Sequence, residues 1–206
     1  MENVAENVSG TIKSGPSIPM LCGVWFALVA VSVAGRLWQP APHVTPLAGA
    51  AIAAGVFFPG PLVAATVPLS ALAISNLALP GYGDSFNGQV MAAVIYAAIA
   101  WPVLLGGIVR KGRLLAVVGG ALASSLVFFL ATNFAHWCLS NDYPHTAPGL
   151  LACYAAGLPF HRWMPVGDVA WSVALTGGLA WVPGLAACGG NTPRTQPISS
   201  HPVNAA

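Results

Sequence analysis

Apolar residues run along this chain without a polar face to interrupt them. Met20–Ala34, Gln89–Val109 and Leu114–Leu139 are almost continuous, rich in Ala, Leu, Val and Gly, and show no alternation of two. A helix that is apolar all round is at home in a large core or in lipid, whereas a membrane barrel needs alternating polarity. The pattern therefore predicts an all-α membrane protein. Turn residues divide it into six spans: Pro19–Ala34, Thr45–Phe58, Leu62–Leu79, Gly88–Val109, Leu114–Leu139 and Val166–Ala187. Pro59-Gly60-Pro61 and Pro80-Gly81 supply two of the reversals, Pro68 predicts a kink inside its span, and Pro102 lies near the end of the fourth.

One apolar segment, Pro148–Phe160, has only about 13 residues. That is roughly 20 Å of helix against a hydrocarbon thickness of about 30 Å. It is expected to be a short interfacial helix, with a seventh span as the alternative. Residues 19–188 then form a single transmembrane domain, between a polar tail at 1–18 and a Pro-rich, disordered tail at 189–206. Glu2 and Glu6 against Lys13 read as a polar tail rather than a signal peptide, which would begin basic and turn apolar at once.

Charge changes the picture by its scarcity. Only 6% of the 206 residues are Asp, Glu, Lys or Arg, and from Met20 to Val109 there are two, Arg36 and Asp84. So many apolar segments cannot hide in one soluble core of this size. The net charge of +2 gives no reason to expect a nucleic-acid partner. Lys and Arg in short loops set orientation. The cluster Arg110-Lys111-Arg113 places both termini in the cytoplasm and puts Arg36 and Arg162 outside. The four cysteines are scattered and read as packing residues, although Cys138 and Cys153 fall on one side, where a disulfide is conceivable.

With that topology the polar chemistry gathers at the outer ends of the spans. Arg36 and His43 belong to the first outer loop, and Asn76 ends the third span. Asn133, His136 and Trp137 share one face of the fifth span by their i, i+3 and i, i+4 spacing. Tyr143 follows, Tyr154 lies in the short helix, and Asp168 opens the sixth span. These nine residues are the candidate substrate-binding set. Asn133, Trp137 and Asp168 are expected to line one pocket, roofed by the Arg36–His43 loop, with Arg36 pairing Asp168. Each has a plainer reading: Trp and Tyr as interfacial belt, Asn as an interhelical bond, His145 and His161 as solvated loop residues, and Asp168 as a helix cap. Enzyme signatures such as H-E-x-x-H, G-x-S-x-G and the Walker motif are absent, so no enzymatic activity, metal or cofactor is expected.

The strings Gly35-Arg36-Leu37, Pro42-His43-Val44-Thr45-Pro46, Ala131-Thr132-Asn133-Phe134-Ala135-His136-Trp137, Tyr143-Pro144-His145-Thr146-Ala147-Pro148-Gly149-Leu150, Cys153-Tyr154, Gly157-Leu158-Pro159-Phe160 and Gly167-Asp168 together resemble an uncharacterised family of bacterial membrane transport proteins. That family is similar in turn to the substrate-binding S components of energy-coupling-factor (ECF) transporters. The resemblance implies a six-helix bundle with an outer ligand site. It also implies partners: a small-molecule substrate, membrane lipid, and an ECF-type transmembrane coupling subunit with ATPase subunits. Ala30 and Ala34 match the Ala-x-x-x-Ala patch through which S components dock. The expected function is a substrate-capture subunit for a small nutrient. The alternatives are a non-transport membrane scaffold or accessory subunit, and third a stand-alone secondary carrier.

Overall fold

The computed structural model describes residues 16–39, 44–79, 83–111, 114–182 and 185. Among the described residues the chain is helical, with no strand. The helices are α1 (Ile18–Leu37), α2 (Leu47–Phe57), α3 (Pro61–Asn76), α4 (Phe86–Lys111), α5 (Leu114–Leu139), α6 (Ala147–His161) and α7 (Met164–Ala180). Three of them, α1, α4 and α5, are long and apolar enough to cross a membrane. The two expected tails, apart from residues 16–18, lie outside the described residues, as do His43, Tyr82, Arg113 and Cys188.

Local chemistry sets the boundaries. Gly60, at φ 92°, turns the chain between Pro59 and Pro61, and Pro61 starts α3 where its missing N–H costs nothing. Ser85 caps α4 by accepting from the Gly88 N–H at 3.1 Å, and Thr146 caps α6 by accepting from Gly149 at 3.3 Å. Pro102 does not break α4. It tightens Trp101–Leu105 into a 3-10 turn between the α-helical limbs Phe86–Ala100 and Gly106–Lys111.

α2 is the axis of the bundle. Ten of its eleven residues are buried, with α1, α3, α4, α5 and α7 all packed against it. Its small residues allow this. A Cβ on Gly49 would come within 2.7 Å of the Trp171 carbonyl carbon on α7, and one on Gly55 would strike the Val103 carbonyl oxygen on α4. Among apolar helices in an apolar solvent, close backbone approach and dispersion supply the cohesion that the hydrophobic effect supplies in water. The outward faces are apolar too: Leu62, Leu115 and Ile108 are 85%, 84% and 66% exposed.

Contacts fix the direction of each helix. Trp25 and Arg36 on α1 bond Thr66 and Ser75 on α3, so these two run parallel. Asn87 at the start of α4 bonds the Leu139 carbonyl at the end of α5, so those run antiparallel. Arg110 at the end of α4 bonds the Gly55 carbonyl near the end of α2. With α1 rising, α3 and α5 rise while α2, α4 and α7 descend. α6 lies along the upper half of α5, its contacts stepping from Asn133 at Cys153 to Ser125 at His161. Arg162 and Trp163 keep helical backbone angles between α6 and α7, and Pro165 interrupts the ladder there because it has no N–H.

Candidate functional site

Two adjoining cavities occupy the upper end of the bundle. The larger, of about 280 Å³, is lined by Arg36, Gln39, Thr45, Leu47, Leu72, Ile95, Ile99, Phe128 and Met164. The smaller, of about 150 Å³, is lined by Phe128, Phe129, Thr132, Asn133, Gly157, Phe160, His161 and Met164. Phe128 and Met164 border both, so these two side chains form the partition. Every helix except α2 and α6 approaches the larger chamber with its upper end or middle; α2 contributes only its first residue, Leu47.

Arg36 stands in the last turn of α1. Its Nη1 donates to Ser75 Oγ at 2.5 Å and to Asn76 Oδ1 at 2.6 Å. Asn76 is held in turn, its Nδ2 donating to Tyr96 Oη at 3.2 Å. Ser75 Oγ donates back to the Ala71 carbonyl at 2.7 Å. The guanidinium is therefore fixed by neutral oxygens on α3, which α4 steadies.

The structure separates the three residues expected to share a pocket. Asn133 borders the smaller cavity and donates to its own helix at Phe129 O, 2.8 Å away. Trp137, one turn on, turns away: its Nε1 donates to Pro144 O at 3.0 Å and its ring meets His145 and Phe134. Its role is to pin the loop between α5 and α6. Asp168 borders neither cavity, is 1% exposed, and its Oδ2 has no hydrogen-bond partner. It is not a helix cap either, because α7 begins at Met164 and Asp168 lies beyond its first turn. The expected Arg36–Asp168 pair is replaced by the bonds from Arg36 to α3.

The other candidates are spread over the upper end. His136 pairs with Asp142 at 3.0 Å on the surface, and Tyr143 stands edge-on to His136. Tyr154 Oη donates to the Leu130 carbonyl at 3.0 Å, tying α6 to α5. Ala30 and Ala34 are exposed on α1. Cys138 and Cys153 are free thiols, the first exposed and the second buried, so the conceivable disulfide is not formed. His161, expected in solvent, instead ends α6 against the Phe129 ring at 4.5 Å, with Nε2 3.5 Å from Ser125 Oγ. Sequence reading missed Ser75, Tyr96, Thr45 and Gln39. Tyr96 carried a signal, since a hydroxyl in the middle of an apolar run needs a partner.

A chain whose described residues are helical, with lipid-like outer faces and three helices of spanning length, has the build of a membrane protein. The particular family follows: the chain belongs to the family of unknown function DUF6580, whose model matches residues 17–188. No curated protein and no solved structure matches it.

Proposed function

We propose that this protein is a membrane substrate-capture subunit, similar in role to the S components of ECF transporters, that binds a small nutrient at the outer end of the bundle. The observation that carries the reading is the pair of cavities partitioned by Phe128 and Met164, with Arg36 in the wall of the larger. A scaffold has no use for a cation held at the edge of an apolar chamber. The alternating helix directions support six crossings, by α1, α2, α3, α4, α5 and α7, the 11-residue α2 crossing as a short helix enclosed by the others, with the start of α1 and the end of α7 on the side of Arg110 and Lys111. That loop is basic and faces the cytoplasm.

In this reading Arg162 and Trp163 lie near the outer surface of the bilayer. Both are exposed, and the guanidinium carbon lies 5.7 Å from the indole centroid. An exposed arginine is costly at mid-membrane and belongs at the interface. The chain between α6 and α7 then marks the outer boundary, α7 crosses with roughly 25 Å of helix, and α6 leans on the outer end of α5. The exposed Ala30 and Ala34 are available for an energising partner in the membrane. Native mass spectrometry of gently purified protein tests the reading. A co-purifying small molecule is expected, and repeated preparations without one would favour the scaffold.

One observation favours a second reading, the stand-alone carrier. Asp168 is a buried carboxylate with an unpartnered oxygen, and Ser172, one turn below, also has an unpartnered hydroxyl. Intramembrane ionisable groups of this kind serve ion coupling. Uptake that survives ATP depletion, collapses with a proton uncoupler and is lost in Asp168→Asn would support the carrier over the capture subunit.

A further inference from the structure

We propose that the larger cavity binds an organic monocarboxylate with an apolar body, gripped through Arg36; this rests on the capture reading and names its substrate class. The first argument is uncompensated charge. The carboxylates among the described residues are Asp84, Asp142 and Asp168. Asp84 lies exposed in the loop before α4, Asp142 is paired with His136, and Asp168 makes no bond to Arg36. Both bonds that fix the guanidinium go to neutral oxygens. A partly buried cation without a counter-charge is costly, and a ligand that brings the negative charge removes that cost.

The second argument is geometric. A guanidinium has five N–H donors in a planar fork. Ser75 and Asn76 take only Nη1. The edge formed by Nε and Nη2 makes no bond to the described residues, and that edge matches the two oxygens of a carboxylate. Ser75 is tied to its own helix and Asn76 to Tyr96, so the fork is held in place before a ligand arrives.

The third argument is the wall. Beyond Arg36, the polar groups are Gln39 and Thr45; the remainder is Leu47, Leu72, Ile95, Ile99, Phe128 and Met164. One cation suits one negative charge, and the apolar wall suits a hydrocarbon or ring. A sugar would leave its hydroxyls unpaired there, and a multiply charged phosphate would find one cation among the described lining residues where it needs several.

The test uses three ring compounds that differ in charge: benzoate, benzamide and benzylamine, titrated into the purified full-length protein in detergent. Benzoate is expected to bind at least about tenfold more tightly than benzamide, from its charge-assisted bonds, with benzylamine weakest. Arg36→Gln should abolish the preference for benzoate. Should that variant fail to fold, Ile95→Trp, which fills the chamber and spares the guanidinium, should abolish benzoate binding instead. Equal affinity for benzoate and benzamide, or a preference for benzylamine, overturns the carboxylate assignment and leaves capture standing. No binding by any of the three overturns the inference, and an absence of co-purifying small molecules as well would take the capture reading with it.

Discussion

Gly106 and Gly107 are neighbours in α4, yet alanine should act on them in opposite directions. A Cβ on Gly106 would strike the carbonyl group of Gly55 and come within 2.6 Å of its Cα, all rigid backbone of α2. Ordinary contact begins near 3.4 Å, so α4 and α2 would have to part by about 1 Å or more. α2 cannot yield freely, because Gly49 on the same helix is pressed against α7. Overpacking costs about 1–3 kcal/mol. The gap opened along the crossing forfeits roughly a quarter to a half of each dispersion contact beside it. Gly106→Ala should therefore lose about 3 kcal/mol or more. Gly107 is exposed, with nothing within 4 Å of an added Cβ, so alanine should gain about 0.5–1 kcal/mol of helix preference. On the scale of ordinary domains the two variants should differ in Tm by on the order of 10 °C. Thermal unfolding of both in detergent measures this. A Gly106→Ala protein within about 1 kcal/mol of wild type, or a Gly107→Ala protein that falls as far, would refute the packing of α4 on α2 as the source of stability.

Three further outcomes are expected. Asp168→Asn should leave stability unchanged or raise it, since the carboxylate oxygen it replaces has no partner; a loss above about 1.5 kcal/mol in thermal unfolding would mean that the carboxylate is bonded after all. Trp137→Phe removes the bond to Pro144 O but keeps the ring contacts, so it should cost about 0.5–1.5 kcal/mol and speed amide exchange in the Ser140–Thr146 loop; unchanged exchange would show that the indole N–H does not pin that loop. His136→Ala should shift stability by less than about 0.5 kcal/mol, because the side chains of His136 and Asp142 are 45% and 64% exposed; a larger loss in the same assay would contradict a solvent-screened pair.

The helices were legible because length and composition are one-dimensional facts. The end of the fifth span at Leu139 was read to the residue, and Thr45–Phe58 shortened only to Leu47–Phe57, since Pro46 and Pro59 bound it. Errors came where a charge or proline was taken as a stop. Arg36 is inside α1, not beyond it, because α3 supplies oxygens for its guanidinium. α7 starts at Met164 rather than Val166, since Pro165 fits a first turn. What composition could not provide was rotation. A helix apolar all round gives no sign of which face meets protein and which meets lipid, so Ala121 and Leu122, adjacent in α5 and both apolar, looked alike although one is fully buried and the other is 47% exposed. The site suffered for the same reason. Asn133 and Trp137 do share a helical face, but shared direction does not fix where a long side chain goes, and the free carbonyl of Pro144 claimed the indole.

Pairing Arg36 with Asp168 was the economical guess, because it removes two lone charges from an apolar bundle at once. The structure keeps them apart, and that separation has a chemical consequence. A guanidinium neutralised by its own protein would present no net attraction to a ligand anion and would have to break an internal ion pair to bind one. Held by Ser75 and Asn76 instead, Arg36 keeps both its full charge and its free edge beside the larger cavity. The same separation leaves Asp168 beside Ser172 on α7, with hydrogen-bonding capacity unused. In a low-dielectric bundle neither group can stay this way without cost, so each is held for something the isolated chain does not supply. For Arg36 the proposed occupant of the cavity is a small anion whose remaining surface is apolar.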